Sequence, residues 1–160
     1  MVRLGRHLSA IVVLPGTVTV VVPWLILRGE APFASGSTRV LLGAIGAPIL
    51  IAGFGLWLWT VRLFASVGDG TLAPWDPTRN LVAAGPYRHV RNPMIGGVFG
   101  ILLGEGLLFA SAGILTWAGA FLVINTAYFV VFEEPGLEAR FGEPYRAYKR
   151  STPRWLPRRR

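Results

Sequence analysis

The sequence predicts an all-α membrane protein with four transmembrane helices and an amphipathic helix near its carboxyl terminus. Of its 160 residues, 52% are hydrophobic and only 15% are charged. The apolar residues are gathered into four blocks, each close to the roughly 20 residues that a ~30 Å hydrocarbon core requires, and most cations lie beside these blocks. The length suits a single domain, so residues 1–160 are predicted to form one integral-membrane domain.

The first two spans are predicted at about 7–27 and 39–64. The apolar run of the first is longer than the roughly 7–15 residues of a signal-peptide core, and no small-residue cleavage site follows it. Pro15 and Pro23 lie within this run, where neighbouring helices can supply partners for the carbonyl groups that a proline leaves free. Trp57 lies near the far end of the second span, where tryptophan commonly anchors a helix at the membrane interface.

The third and fourth spans, at about 93–110 and 114–132, are predicted to form a tight antiparallel hairpin because only a short turn separates them. Pro93 suits the first turn of a helix, where no backbone donor is needed. After the fourth span, apolar and aromatic residues recur every three or four positions between 136 and 150, with cations on the other face. This pattern is typical of an amphipathic helix that lies on a membrane surface.

Three glycines recur at every fourth position along the third span, namely Gly96, Gly100 and Gly104. Small residues at this spacing allow transmembrane helices to approach each other closely, so helix packing is the favoured interpretation of this stripe. Gly97 is offset from the stripe and lies next to the preceding loop. We therefore predict that Gly97 is the glycine that faces a ligand.

The distribution of cations predicts the orientation in the membrane. With four spans, both termini and the loop at 67–92 share one side, which then holds 14 of the 16 Lys and Arg residues. By the positive-inside rule this side is cytoplasmic, in a plasma or inner membrane. The net charge of +8 is attributed to membrane lipids and not to nucleic acid, since no basic helix interleaved with aromatic residues is present. The absence of cysteine excludes disulfides and thiolate metal ligands, and no metal site is predicted.

Three polar side chains in or beside the last two spans are candidates for a catalytic role: Glu105, Asn125 and Glu134. Glu105 lies about 18 Å along the third span, where a carboxylate should be paired, protonated or in a polar cavity. A hydrogen bond from Thr116 or Trp117 is predicted for it. Asn125 could equally make an interhelical hydrogen bond, and Glu134 could be an ordinary charge at the membrane interface.

Two segments beside the last two spans are denser in polar and rigid residues than a connection requires. The first, GPYRHVRNPMIGG, covers 85–97, and the second, EEPGLEARFGEPYRAYKRSTPRWLP, covers 133–157. Together they resemble the carboxy-terminal half of the isoprenylcysteine carboxyl methyltransferase and phospholipid N-methyltransferase superfamily, which consists of integral-membrane enzymes. The resemblance extends over about 75–157 and implies a methyltransferase whose cofactor is S-adenosyl-L-methionine.

The resemblance also implies which residues bind the cofactor. They are Arg79, Asn80, Leu81 and Val82, then Tyr87, the start of the third span at Asn92, Pro93, Met94 and Ile95, and finally Glu133. The chemistry of the cofactor adds Arg88 and Arg91, because a guanidinium binds a carboxylate through two parallel hydrogen bonds. Tyr87 or Trp75 suits its aromatic and cationic parts.

Three positions depart from the pattern of the superfamily. Asn92 and Ile95 stand where the family commonly has His and Tyr. Phe129 stands where the prenylcysteine enzymes have an arginine that holds the substrate carboxylate. Because phenylalanine cannot pair with a carboxylate, methyl esterification of a prenylated cysteine is not predicted, and an apolar or amine-bearing acceptor fits better.

The predicted activity is methyl transfer to a small lipophilic or membrane-embedded acceptor at the cytoplasmic membrane face. The sulfonium is already activated, so the protein needs mainly to align acceptor, methyl carbon and sulfur; Glu134 or Glu105 would remove a proton from an amine or alcohol. Two alternatives stay open. One is an NADPH-dependent membrane reductase of the sterol-reductase type, with Arg79, Arg88 and Arg91 around the additional phosphate. The other is a non-catalytic relative.

Overall fold

The computed structural model describes residues 15–67 and 80–157, and within these ranges every regular element is helical. A 3₁₀ turn at Gly85–Arg88 precedes the third of five helices. The helices are α1 (Thr17–Gly29), α2 (Gly36–Ser66), α3 (Pro93–Leu108), α4 (Ala112–Phe141) and α5 (Glu143–Ser151). The prediction of an all-α fold is confirmed for this part of the chain.

Two of these helices are long and apolar enough to cross a membrane. They are α2, with 31 residues, and α4, with 30 residues. The other two apolar helices, α1 and α3, are shorter; the 16 residues of α3 extend over about 24 Å. Of the four predicted spans, two correspond to helices that are long and apolar enough to cross a membrane. Residues 7–14 of the first predicted span lie outside the described residues.

Large apolar side chains cover much of the outer surface of α2 and α4. Val40 is 73% exposed, Ile51 69% and Phe132 66%. Contiguous apolar surface of this kind is costly in water and marks a membrane or a partner. Together with the two long apolar helices, it fits an integral membrane protein.

The closest helix contact is the antiparallel crossing of α2 and α3, which glycines allow. A Cβ atom on Gly53 would lie 2.6 Å from the backbone nitrogen of Ile101, and one on Gly97 would lie 2.8 Å from that of Trp57. A Cβ atom on Gly104 would lie 2.6 Å from the backbone nitrogen of Leu50. Backbones that approach this closely leave no room for a side chain, so these glycines set the separation of the two helices.

The glycine stripe predicted from the sequence is correct at Gly100 and Gly104 but wrong at Gly96. Nothing lies within 4 Å of a Cβ atom placed on Gly96, whereas Gly97 packs against α2. The contact positions 97, 100 and 104 are spaced by three and four, which follows the helix repeat of 3.6 better than a strict spacing of four. Gly97 thus packs at the helix crossing, and its predicted contact with a ligand stays a prediction.

The turn between α3 and α4 is a tight hairpin, as predicted, and it is fastened to the end of α1. Ala110 adopts a left-handed conformation with φ of 51°, and the Ser111 hydroxyl accepts a hydrogen bond from the Ile114 N–H at 3.1 Å. Glu30 then accepts from the Ser111 hydroxyl at 2.9 Å and from the Gly113 N–H at 3.0 Å. A carboxylate at the first turn of α4 also interacts favourably with the helix dipole.

Glu30 gives the stability of the protein a specific pH dependence. The Gly113 N–H, followed by the Ser111 hydroxyl, lowers the pKa of Glu30 below its ordinary value of 4.5. A carboxyl group with a depressed pKa stabilises the folded state above its ordinary pKa, and this contribution disappears as the pH falls through the folded-state pKa. We expect Glu30→Gln to lower the midpoint of thermal unfolding in detergent at neutral pH and to lower it by less at about pH 3. An equal difference at both pH values would contradict this assignment.

The last part of the chain differs from the predicted span at 114–132 and surface helix at 136–150. Helix α4 continues through both glutamates by way of a π-helical turn at Phe129–Glu133. Pro135, which has no N–H to donate, is the second residue after this turn. The helix ends at Phe141 because Gly142 has a φ of 61°, and α5 begins after it.

Candidate functional site

A cavity of about 710 Å³ lies where α1, the end of α2, the turn before α3, the start of α3, α4 and α5 meet. Two parts of its lining differ in chemistry. The polar end consists of Tyr87, Arg91, Asn92 and Glu133, and the apolar wall consists of Val18, Trp117, Phe121, Ile124 and Phe129. The 16 positions of α4 from Trp117 to Glu133 correspond to about 24 Å, so the cavity runs along that helix from apolar to polar surroundings.

Tyr87 is held at the polar end by the turn that precedes α3. Gly85 has a φ of 55°, and a Cβ atom there would lie 2.9 Å from the Leu63 side chain. Tyr87 itself is buried at 6% exposure and packs on Phe64 with 5.7 Å between ring centroids. Its carbonyl accepts a hydrogen bond from the Tyr148 hydroxyl at 2.7 Å. Burial raises the pKa of both tyrosines, so both remain neutral phenols.

The segment after α5 returns to the start of α3 and pairs with it. The Arg91 N–H donates to the Pro153 carbonyl at 2.9 Å, and the Asn92 N–H donates to the Arg154 carbonyl at 3.3 Å. Trp155 packs on Phe129 of α4, with 6.4 Å between ring centroids. The carboxy-terminal segment therefore fixes the backbone of two residues that line the cavity.

Glu134 is the centre of a charge cluster that fastens this arrangement. Its side chain is 8% exposed and binds Arg91 at 2.9 Å, Arg154 at 2.7 Å and Lys149 at 3.1 Å. This carboxylate is therefore bound to three cations at once. Glu134 does not line the cavity, although its neighbour Glu133 does. A carboxylate removed from water in this way needs its partners, because an unpaired buried charge is strongly destabilising.

Removing the Arg154 side chain should test the cluster. Arg154→Ala takes away both hydrogen bonds that this guanidinium donates to Glu134, and we expect a loss of about 1–3 kcal/mol in the free energy of unfolding. The matched control is Arg150→Ala, because Arg150 is 67% exposed and pairs only with the exposed Glu143 in the described contacts; such pairs contribute about 0–1 kcal/mol. Denaturant titration in detergent measures both. Equal effects of the two substitutions would contradict the role of the cluster.

A family model described as phospholipid methyltransferase matches residues 41–144. The match covers most of α2, all of α3 and all of α4. The chain belongs to the phospholipid methyltransferase family. This family is one of the integral-membrane methyltransferases, the group that also contains the isoprenylcysteine carboxyl methyltransferases. Its members generally use S-adenosylmethionine. Searches of curated proteins and of solved structures found no match.

The family match confirms the resemblance found in the sequence and shifts its limits. The match begins in α2, at residue 41, whereas the resemblance begins at about residue 75. The match ends at the start of α5. The carboxy-terminal segment that pairs with Arg91 and Asn92 lies beyond it. A phospholipid methyltransferase family member is thus expected to be a membrane methyltransferase, and an NADPH-dependent reductase is not favoured.

The structure places most of the predicted cofactor residues around the one cavity described above. Those that line it are Leu81, Val82, Tyr87, Arg91, Asn92, Met94, Ile95 and Glu133. Four do not line it: Asn80 and Arg88 are exposed, Pro93 is buried, and Gly97 packs against α2. The Asn80 amide donates to the Val67 carbonyl at 3.2 Å. Arg79 and Trp75 lie outside the described residues.

The three predicted catalytic residues are not brought together. Asn125 lines the cavity, and its amide nitrogen donates to the Phe121 carbonyl of its own helix at 2.8 Å. Within the described residues, this bond takes the place of the interhelical hydrogen bond considered from the sequence. Glu134 and Glu105 do not line the cavity. Their assignment as proton acceptors stays a prediction.

The partners predicted for Glu105 are wrong. The Trp117 indole N–H donates to the Val18 carbonyl at 3.1 Å, and the Thr116 hydroxyl donates to the Ala112 carbonyl at 2.9 Å. The sequence could not reveal this, because Trp117 finds its acceptor on α1, 99 positions away in the chain. Within the described residues, Oε2 of Glu105 has no hydrogen-bond partner.

Sequence reasoning missed the relation of Trp57 to the site. The sequence predicts that Trp57 anchors its helix at the interface, whereas in the structure Trp57 lines the cavity. Across the described residues, four buried side-chain nitrogen or oxygen atoms lack a hydrogen-bond partner, and three of them belong to lining residues: Trp57 Nε1, Arg91 Nε and Asn92 Nδ2. All three are donors. These lining residues therefore carry buried donors that have no acceptor among the described residues.

Proposed function

We propose that this member of the phospholipid methyltransferase family transfers the methyl group of S-adenosylmethionine to a lipophilic or membrane-embedded acceptor at the cytoplasmic membrane face. The observation that carries the proposal is the cavity that joins Tyr87 and Glu133, which come from the two sequence segments of the resemblance. Its volume of about 710 Å³ falls within the ~300–1,000 Å³ range that is typical of small-molecule sites.

The residues at the polar end fit the groups that such a cofactor carries. Among the described lining residues, Glu133 is the one carboxylate, and a carboxylate accepts hydrogen bonds from a ribose diol or an ammonium group. Arg91 and the unpaired donors of Asn92 and Trp57 suit a carboxylate. The Tyr87 ring offers an aromatic surface to an adenine or a sulfonium.

The apolar wall suits a lipophilic acceptor. When bound, S-adenosylmethionine supplies a methyl group that its sulfonium already activates, so the residues of the protein have mainly to position the acceptor. An apolar surrounding disfavours the charged form of an amine, so Val18, Phe121 and Ile124 would hold an amine-bearing acceptor as its neutral, nucleophilic form. No general base at the cavity is then required before the transfer.

Phe129 supports an acceptor without a carboxylate. It is buried at 7% exposure and contacts the rings of Tyr128, the preceding residue, and Trp155 of the carboxy-terminal segment. An arginine at this position would replace two aromatic contacts and leave a charge in their place. Since the family suggests lipid substrates, an amine-bearing lipid or another lipophilic amine is the acceptor that we propose.

We infer the orientation in the membrane from the distribution of positively charged side chains. The cations of the carboxy-terminal region, Arg140, Arg146, Lys149, Arg150 and Arg154, follow the apolar part of α4. Such residues favour the cytoplasmic side, where the methyl donor would be available. The exposed face of α5 would then lie against anionic headgroups, and the acceptor would reach the apolar wall from the bilayer.

Two measurements test the proposal. Calorimetric titration of the purified protein should detect S-adenosylmethionine binding and no NADPH binding. Incubation with a radiolabelled methyl donor and total membrane lipid should then give a labelled product that partitions into organic solvent. Binding of NADPH alone would replace the proposal by a reductase, and binding of neither, without labelled product, would indicate a non-catalytic relative.

A further inference from the structure

We infer that Asn125 holds the methyl acceptor by accepting a hydrogen bond from its amine N–H, and that the protein therefore methylates primary and secondary amines but not tertiary ones. The inference rests on the proposed function, which it narrows to a class of amine. It concerns the apolar wall of the cavity, to which Asn125 contributes a partly buried side chain.

Asn125 places an amide in the middle of the apolar wall. Phe121 and Phe129 lie on either side of it along α4, each four positions or about 6 Å away, and both line the cavity at 7% exposure. Side chains four positions apart share one face of a helix. The amide of Asn125 therefore adjoins the same space as the two phenylalanine rings.

The hydrogen bond that Asn125 donates determines how its amide is oriented. Nδ2 lies 2.8 Å from the Phe121 carbonyl, and because a carbonyl oxygen only accepts, the amino group and not Oδ1 is on that side. Oδ1 is therefore directed away from this carbonyl. Among the described residues Oδ1 has no hydrogen-bond partner, and it is not one of the inaccessible unpaired atoms. It is an open acceptor beside the cavity.

An amine with an N–H group is the methyl acceptor that this oxygen selects. Oδ1 can only accept, and a neutral tertiary amine has no hydrogen to donate. An alcohol has one, but it needs a base before it can react. The one carboxylate among the described lining residues, Glu133, is eight positions or about 12 Å farther along the helix. A neutral primary or secondary amine needs no base.

The same hydrogen bond assists the transfer. The amine nitrogen uses its lone pair to form the bond to the methyl carbon, and the carbon–sulfur bond of S-adenosylmethionine breaks with its electron pair left on sulfur. Because the nitrogen gains positive charge, its N–H binds Oδ1 more strongly in the transition state than before. The ammonium product releases one proton to water and becomes an amine with one N–H fewer. Two transfers thus convert a primary amine into a tertiary amine, which Oδ1 no longer holds.

Three amines with the same chain test this limit: dodecylamine, N-methyldodecylamine and N,N-dimethyldodecylamine. They are incubated with radiolabelled S-adenosylmethionine and the wild-type protein in detergent. We expect kcat/KM for the tertiary amine to be at least roughly 10-fold below that for the secondary amine, because a site that binds an N–H rejects the analogue that lacks it. Equal kcat/KM values for these two amines would overturn the inference.

Asn125→Leu separates the hydrogen bond from the size of the amine, because leucine has the same branched shape without the oxygen. We expect kcat/KM for the secondary amine to fall roughly 10-fold and that for the tertiary amine to stay the same, so that the preference disappears. The matched control is Thr126→Val. Thr126 also donates to the carbonyl four positions earlier, at 2.7 Å, but does not line the cavity, so this variant should keep the preference. A preference that persists in Asn125→Leu contradicts the inference.

Asn125→Ala is the second variant if Asn125→Leu does not fold. It removes the same oxygen and leaves more room beside the amine. If the preference came from crowding, this variant would methylate the tertiary amine faster than the wild type, and the inference would be wrong. If it comes from the hydrogen bond, the secondary amine is methylated more slowly and the tertiary amine is unaffected.

Failure of the proposed function gives a different result, in which the wild type binds no S-adenosylmethionine and labels none of the three amines. The contact is then judged by calorimetric titration with dodecylamine and with dodecyltrimethylammonium, which has the same chain and no N–H. Tighter binding of dodecylamine by the wild type, lost in Asn125→Leu or Asn125→Ala, supports the contact. The same relative affinity of the two ligands in wild type and variant would overturn it.

Discussion

Replacing Glu133 with alanine is expected to weaken the binding of S-adenosylmethionine roughly 10-fold to 150-fold. Among the described residues that line the cavity, Glu133 is the one with a carboxylate, and hydrogen bonds to a charged group contribute about 1.5–3 kcal/mol. The ligand groups from which this carboxylate would accept hydrogen bonds, a diol or an ammonium, would lose their acceptor. Calorimetric titration of the wild type and of Glu133→Ala in the same detergent measures the effect.

The matched control is Glu138→Ala, on the same helix. Glu138 does not line the cavity, its side chain is 37% exposed, and it pairs with Arg146 at 3.6 Å and Lys149 at 3.9 Å. Exposed pairs at such distances contribute little, so the affinity should stay within about 2-fold of the wild type. Glu133→Gln should fall between the two, because an amide retains one acceptor oxygen. Unchanged affinity in Glu133→Ala would remove this residue from the site.

Much of the polar end could be predicted from the sequence because its residues are close to each other in the chain. Tyr87, Arg91 and Asn92 belong to one short segment before α3, and Glu133 follows an apolar block of recognisable length. A hairpin of two helices returns its ends to the same side, so Tyr87 and Glu133 were expected to meet. Both line the cavity.

The role of Glu134 could not be predicted in the same way. Its surroundings depend on Arg154, 20 positions later, and on Arg91, 43 positions earlier. The sequence indicates that cations surround the glutamates, but it does not indicate which of two neighbouring carboxylates they bind. On a helix, adjacent side chains point in directions about 100° apart, so Glu133 and Glu134 necessarily face different surroundings.

Trp57 was missed for a related reason. Its position near the end of the second span suggests an interface anchor. Its place at the cavity follows from the crossing of α2 and α3, which joins residues 40 or more positions apart. The spacing of the glycines predicts that α3 packs closely on a neighbouring helix. It does not predict which of the glycines form the contact. Gly96 and Gly97 are adjacent in sequence, and only the second meets α2.

Widening the crossing of α2 and α3 is expected to destabilise the protein and to disturb the cavity. A Cβ atom at position 53 would lie 2.6 Å from the Ile101 nitrogen and 2.8 Å from the Gly97 oxygen. These are backbone atoms, so the clash can be relieved only by moving one helix. We expect Gly53→Ala to reduce the free energy of unfolding by about 1–3 kcal/mol, and Gly53→Val to reduce it further because the branched side chain needs more room.

Gly96→Ala is the control, because it adds the same methyl group to α3 where nothing lies within 4 Å. Alanine is a better helix former than glycine by roughly 0.8–1.0 kcal/mol, so this variant should be as stable as the wild type or slightly more stable. Thermal unfolding in detergent compares the three variants. Because Trp57 is one helical turn from Gly53, separation of the helices should also displace its indole from the cavity. Gly53→Ala should therefore weaken ligand binding even at temperatures where the variant remains folded, and equal stability of Gly53→Ala and Gly96→Ala would contradict the contact.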